Sequence, residues 1–195
     1  MQILSASALI DVPWKNGGGI TRNIAKGLHG ARPAWTISRA DVAQNGPFSD
    51  FSGMTRVLTV VSGGSMTLTT PSLSLDASLW TPVIFDGGLA IESLLNDGPL
   101  TDLNLMFDPK LCEGVVTVHK KTSNQTVQTP KDGILVLHGL AGAPKTNGTP
   151  LGVSDTAFIS DTNAVLELAA GDALLEIRLR YLDQSAAIKL AIADR

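Results

Sequence analysis

Leu174-Leu175-Glu176-Ile177-Arg178-Leu179-Arg180 alternates with a period of two residues. Successive side chains of an extended strand point to opposite sides. Leu175, Ile177 and Leu179 therefore share one face, and Glu176, Arg178 and Arg180 the other. The stretch reads as a half-buried strand whose charged residues are expected on a solvated face. Working outward, further short β-rich runs predict strands at Gly19–Ala25, Trp35–Val42, Arg56–Val61, Ser65–Thr70, Leu89–Leu95, Leu100–Phe107, Val115–Lys121, Gly133–Leu140, Ala164–Leu168, Ala173–Leu182 and Ala187–Ile192. Turn signals such as Asn45-Gly46-Pro47, Ser62-Gly63-Gly64 and Asn96-Asp97-Gly98-Pro99 separate them. Short strands at this spacing, without amphipathic helices between them, predict an all-β sandwich or barrel. The helical candidates are short: Ser5–Asp11 and a turn at Pro109–Cys112.

The chain has 195 residues, of which 44% are hydrophobic and 17% charged, so a substantial core can form. A soft boundary falls near Asp108–Gly114 and predicts an N-terminal half of residues 1–108 and a C-terminal half of residues 109–195, closely fused, with strand exchange between them left open. Asn124–Asp132 and Ala141–Thr149 read as surface loops. Net charge is -3, and no long Lys/Arg run occurs, which argues against nucleic acid or an anionic membrane as the partner. A single cysteine, Cys112, allows no intrachain disulfide and suits a reducing compartment. Met1–Val12 contains no Lys or Arg and does not read as a signal peptide, and no apolar run approaches ~20 residues.

Three stretches carry polar chemistry. Pro13-Trp14-Lys15-Asn16-Gly17-Gly18-Gly19 offers an apolar wall, a cation and an amide around glycines that permit unusual backbone angles. A glycine-rich turn leading into a strand, with Trp14 in the core, would use the same residues. Asn45–Gly53 places Phe48 and Phe51 in a turn-rich loop ahead of Arg56, at the mouth of the next strand. A guanidinium there can clamp a carboxylate through two parallel hydrogen bonds, or form a rim salt bridge. In Leu100–Phe107, alternation aligns Asp102, Asn104 and Met106 on one face, which requires water, mutual pairing or a ligand. Only three histidines occur, His29, His119 and His138, at no metal-site spacing, so no metal or other cofactor is expected. No Gly-x-Ser-x-Gly elbow or Walker loop is present.

These blocks, Pro13–Gly19, Gly46–Ser49 with Phe51, Gly53 and Arg56, and Asp102–Met106, resemble the signature blocks of the HutD/Ves family, in that family's order. The resemblance is carried by the first half of the chain; the second half matches in β-rich pattern and length. It implies a bicupin, two β-barrel, jelly-roll-like halves in one chain, and a cytoplasmic bacterial protein associated with histidine utilisation. Cupins commonly hold a metal through a His-rich motif, which this sequence lacks. The expected ligand is a small carboxylate, urocanate or N-formylglutamate among the candidates. Arg56 and Lys15 would neutralise it, while Asn16, Thr21, Asp102 and Asn104 orient it and Trp14, Phe48 and Met106 wall it. A homodimer is compatible with this reading. Two other readings use the same residues: an enzyme with Asp102 as general acid/base and Arg56 stabilising negative charge, and a protein-interaction module with a vestigial pocket.

Overall fold

The computed structural model describes residues 1–182 and 187–193. Backbone contacts divide the chain into two units. One comprises Ile10–Lys110 and Ile188–Ala193, the other Met1–Leu9 and Leu111–Ala187. Among the described residues there is no α-helix, and strands dominate both units. The predicted helix at Ser5–Asp11 is corrected to a single 3-10 turn, Ala6–Ala8, whose first N–H groups are met by Ser5 and Asp155 side chains. Three residues of turn cannot bury an apolar face, and extended backbone resumes at Leu9.

The first unit contains a larger antiparallel sheet in the order Val12–Pro13, Gly19–His29, Arg32–Val42, Leu100–Phe107, Thr55–Gly63, Val83–Asp86. Ile188–Ile192 also pairs with Gly19–His29. Its smaller sheet runs Gly46–Pro47, Glu92–Leu95, Met66–Thr70, Leu73–Ala77. The chain passes from one sheet to the other at Gly63-Gly64. Gly63 has a φ of +87°, and a Cβ there would sit 2.6 Å from the Pro99 carbonyl oxygen, so glycine is required. Leu58 and Val60 from the larger sheet meet Met66 and Leu68 from the smaller in a buried core. No strand pairing joins the two sheets among the described residues, so the sheets do not close into a hydrogen-bonded barrel. A sandwich core holds them instead.

The second unit repeats the two-sheet plan. One sheet runs Gln2–Leu4, Thr156–Ile159, Gly133–Ala141, Ala173–Tyr181, Cys112–His119; the other runs Ser123–Val127, Ala164–Leu168, Lys145–Thr146, Thr149–Pro150. Its core is largely leucine, with Leu135, Leu137, Leu151, Leu166 and Leu174 buried together. Part of each predicted loop, Ser123–Val127 and Lys145–Thr146, is strand. The expected solvated face of Ala173–Tyr181 needs correction at Glu176, which is 1% exposed. Its carboxylate lies 2.7 Å from His119 Nε2 and 2.6 Å from Arg178 Nε, an arrangement that compensates a buried charge. Arg178 and Arg180, further along the same face, are about half exposed.

Candidate functional site

Three rungs of the larger sheet in the first unit build the floor of a cavity of about 650 Å³. Register places Thr21 beside Ala40, Ala40 beside Asp102 and Asp102 beside Val60. The next rung is Asn23, Ser38, Asn104, Leu58, and the third Thr36, Met106, Arg56, Phe85. Alternation then puts Leu103 and Leu105 on the opposite face, where both are buried. The polar face of Leu100–Phe107 does not meet bulk solvent: Asp102 is 1% and Asn104 2% exposed.

Two loops complete the walls. In the first, Gly17 has a φ of +72°, and the Gly18 N–H donates to the Asn16 carbonyl oxygen Oδ1 at 3.0 Å. A Cβ on Gly19 would stand 2.3 Å from the Asp41 carbonyl oxygen and 2.9 Å from the Trp14 ring. The glycines thus let Trp14 fold down onto the backbone, where its Nε1 donates to Thr21 Oγ1 at 2.7 Å. In the second, the Phe48 N–H donates to the Ile91 carbonyl and the Phe51 N–H to the Gly87 carbonyl, at 2.8 and 2.9 Å. These bonds pin the loop and hang its aromatic rings over Arg56.

Arg56, the second residue of Thr55–Gly63, is buried at 8% exposure and lines the cavity. Its guanidinium carbon lies 4.3 Å from the Phe48 ring centroid, 5.7 Å from that of Phe85 and 6.0 Å from that of Phe51. Arg56 Nε donates to Asn104 Oδ1 at 2.8 Å, and Asn104 Nδ2 donates to Asp102 Oδ1. Asn104 is thereby oriented as a relay between a buried cation and a buried acid. Burial raises the Asp102 carboxyl to about 6, against the opposing pull of Arg56 and of the Asn104 hydrogen bond. Burial likewise lowers the Arg56 guanidinium from its usual value, while Asp102 opposes the shift.

All nine residues singled out in the sequence line this one cavity: Trp14, Lys15, Asn16, Thr21, Phe48, Arg56, Asp102, Asn104 and Met106. Lys15 and Asn16 are exposed at its rim, and part of Asn16 is committed to its own turn. Ser49 and Phe51, from the loop ahead of Arg56, line it as well, as do Asn23, Thr36 and Ser38, which the sequence did not mark. Thr36 and Ser38 alternate with buried Trp35 and Ile37, a pattern that marks a face, but small hydroxyls are as common on solvated faces. The Thr36 hydroxyl is buried without a hydrogen-bond partner.

The donor set does not fit a divalent cation. The cavity contains a guanidinium, one carboxylate and amides, and no histidine lines it. His119 pairs with Glu176 and His138 Nδ1 with Thr156 Oγ1, both in the other unit. Among the described residues no three His, Cys, Asp or Glu side chains are grouped to hold a metal. Among the described residues no helix is long and apolar enough to cross a membrane.

Comparison with known proteins places the chain among relatives of one family. The chain is 36% identical over 120 residues to an uncharacterised 21.2 kDa protein in the hutC 3' region of Pseudomonas putida, covering 56% of this chain and 60% of that protein. It is 35% identical over 112 residues to protein Ves of Escherichia fergusonii, covering 56% and 59%. These matches thus span less than two thirds of the relatives' length. The structure of HutD from Pseudomonas fluorescens SBW25 superposes with a TM-score of 0.82 at 25% identity, over 93% of this chain and 99% of that one. More distant solved structures share the fold alone. They include a bacterial pirin from Escherichia coli in complex with nickel(II), TM-score 0.68 at 12% identity, over 90% of this chain and 97% of that one. Another is a cupin 2 conserved barrel domain protein from Leptotrichia buccalis, TM-score 0.56 at 11% identity, over 87% and 92%. The HutD family model matches residues 6–175, and the chain belongs to the HutD family.

Proposed function

We propose that this protein is a non-catalytic, cytoplasmic bicupin that binds a small carboxylate in the cavity of its first unit. The observation that carries the reading is Arg56. It is a buried guanidinium, stacked on Phe48, with one nitrogen committed to Asn104 and no acceptor among the described residues for its Nη groups. Such a cation, facing an apolar-walled cavity, suits an anion with two parallel acceptors. A histidine-degradation intermediate, urocanate or N-formylglutamate, is the ligand this reading favours. The names of the Pseudomonas relatives support it, since they refer to hut loci. Its role would be to sense or buffer that intermediate and so modulate histidine utilisation.

The bicupin reading is supported by register. A bulge interrupts the pairing between Thr101 and Asp102 in one unit and between Gly139 and Ala141 in the other. Counting rungs from each bulge matches Asp102 to Leu174, Asn104 to Glu176 and Arg56 to Leu135. The second unit thus carries leucines where the first carries its acid and its cation.

One observation favours an alternative in which the same molecule is transformed: a carboxyl held at about 6 beside a fixed cation is suited to general acid/base work. A thermal-shift screen of histidine-pathway intermediates, followed by a turnover assay on any hit, separates the readings. Stabilisation near 2.7 kcal/mol is expected at about 100 times Kd. Tight binding without turnover supports the sensor, turnover supports the enzyme, and no hit contradicts both.

A further inference from the structure

We infer that carboxylate binding at Arg56 is coupled to uptake of one proton by Asp102, so that the ligand enters as an anion plus a proton. The inference rests on the carboxylate reading of the cavity and adds its regulation by pH.

Charge balance carries it. In the empty cavity the buried charges are one cation, Arg56, and one acid, Asp102, joined through Asn104. A bound carboxylate brings a second negative charge to the same cation. Two carboxylates sharing one enclosed cation cannot both stay ionised at low cost; one takes a proton. Asp102 is the group already closer to neutrality, because it is almost wholly buried and Asn104 Nδ2 is the only hydrogen-bond donor to it among the described residues. Asn104 cannot serve as the switch, since its carbonyl is held by Arg56 and its amide by Asp102.

The other charges around Asp102 do not replace this response. Arg39 lies on the neighbouring strand but on the opposite face of the sheet, as does Asp41. Asp41 is paired with Arg22, which also holds Asp11. Lys15 stands exposed at the rim, where water screens it. The proton comes from solvent, no bond in the ligand is broken, and the complex holds a neutral Asp102 acid beside an Arg56–carboxylate pair.

The test uses the full chain and N-formyl-L-glutamate, whose carboxylates stay ionised above about pH 5.5. Calorimetry at pH 7.5 in phosphate and in Tris reads the proton count from the difference in heat. Uptake of about one proton per ligand is expected, with affinity falling up to about tenfold per pH unit from pH 6 to 8. Asp102→Asn, a neutral isostere, should bind without proton uptake and lose the fall in affinity between pH 6 and 8. Binding by the wild type with no proton uptake and a flat pH profile overturns the inference and leaves the carboxylate reading intact. Absence of binding at every pH overturns both. The wild-type proton count decides the matter even if the variant fails to fold.

Discussion

The Arg56 guanidinium sits over the Phe48 ring, its central carbon 4.3 Å from the ring centroid. The ring comes from a loop pinned by backbone bonds, and the cation from the sheet floor, so the contact fixes the wall of the cavity to its base. Phe48→Leu keeps apolar bulk and removes the aromatic face. A desolvated cation–π contact is worth about 2 kcal/mol, and an exposed one about 0.5–1. Carboxylate affinity should fall between about threefold and thirtyfold, with the melting temperature less affected. Calorimetry alongside a melt checks this; an unchanged affinity would assign Phe48 to packing alone.

Asn104 satisfies two buried groups at once, which makes it costly to remove. Asn104→Leu leaves Arg56 Nε and Asp102 without partners in the interior. Stability should drop by roughly 1–3 kcal/mol for each unsatisfied group. Urea unfolding with an unchanged m-value would register it as a lower midpoint. A loss under 0.5 kcal/mol, by the same yardstick, would mean that the relay is not structurally coupled.

Asp102 also predicts a pH signature of folding. Its carboxyl is raised in the folded protein, from 3.8 to about 6, so between those values the native state holds more protons than the unfolded one. Its contribution to stability is therefore present below about pH 4 and is lost as pH rises through 6. Asp102→Asn escapes that loss. The variant should match the wild type near pH 4 and exceed it above pH 6 by up to about 3 kcal/mol, at about 1.36 kcal/mol for each pH unit between 3.8 and about 6. Chemical denaturation at several pH values measures the gap; a gap that does not widen with pH contradicts the assignment.

Gly19→Ala and Gly17→Ala separate two uses of glycine. At Gly19 a Cβ would meet the Asp41 carbonyl oxygen and the Trp14 ring, whereas at Gly17 there is open space and a φ of +72°. Gly19→Ala should cost about 1–3 kcal/mol by overpacking and should weaken ligand binding by lifting Trp14 from the wall. Gly17→Ala should cost about 1–2 kcal/mol through backbone strain and leave Trp14 in place. Melting and ligand titration of both variants distinguish them.

Strict alternation made much of this legible in advance. It assigned Asp102, Asn104 and Met106 to one face and Leu103 and Leu105 to the other. What alternation cannot report is whether a polar face meets solvent, a cavity or a second sheet. Glu176 shows this: its charged neighbours implied water, but it is buried, with His119 and Arg178 against its carboxylate. Two-residue strands such as Val12–Pro13 and Lys145–Thr146 are too short to show any period. Val83–Asp86 and Thr156–Ile159 escaped notice for another reason. Val83–Asp86 is an edge strand with an exposed Ile84, and Thr156–Ile159 is buried throughout, so neither alternates in hydropathy as a half-buried strand does.

The central claim is that Arg56 clamps a carboxylate. Calorimetric titration of wild type, Arg56→Lys and Arg56→Met with N-formyl-L-glutamate tests it most directly, each protein first shown folded by its melt. Charge-assisted hydrogen bonds are worth roughly 1.5–3 kcal/mol each, so Arg56→Met should lose between about tenfold and more than a hundredfold in affinity. Arg56→Lys should recover part of that loss, because an ammonium keeps the charge without the planar fork. Equal affinity in wild type and a folded Arg56→Met protein would contradict the account.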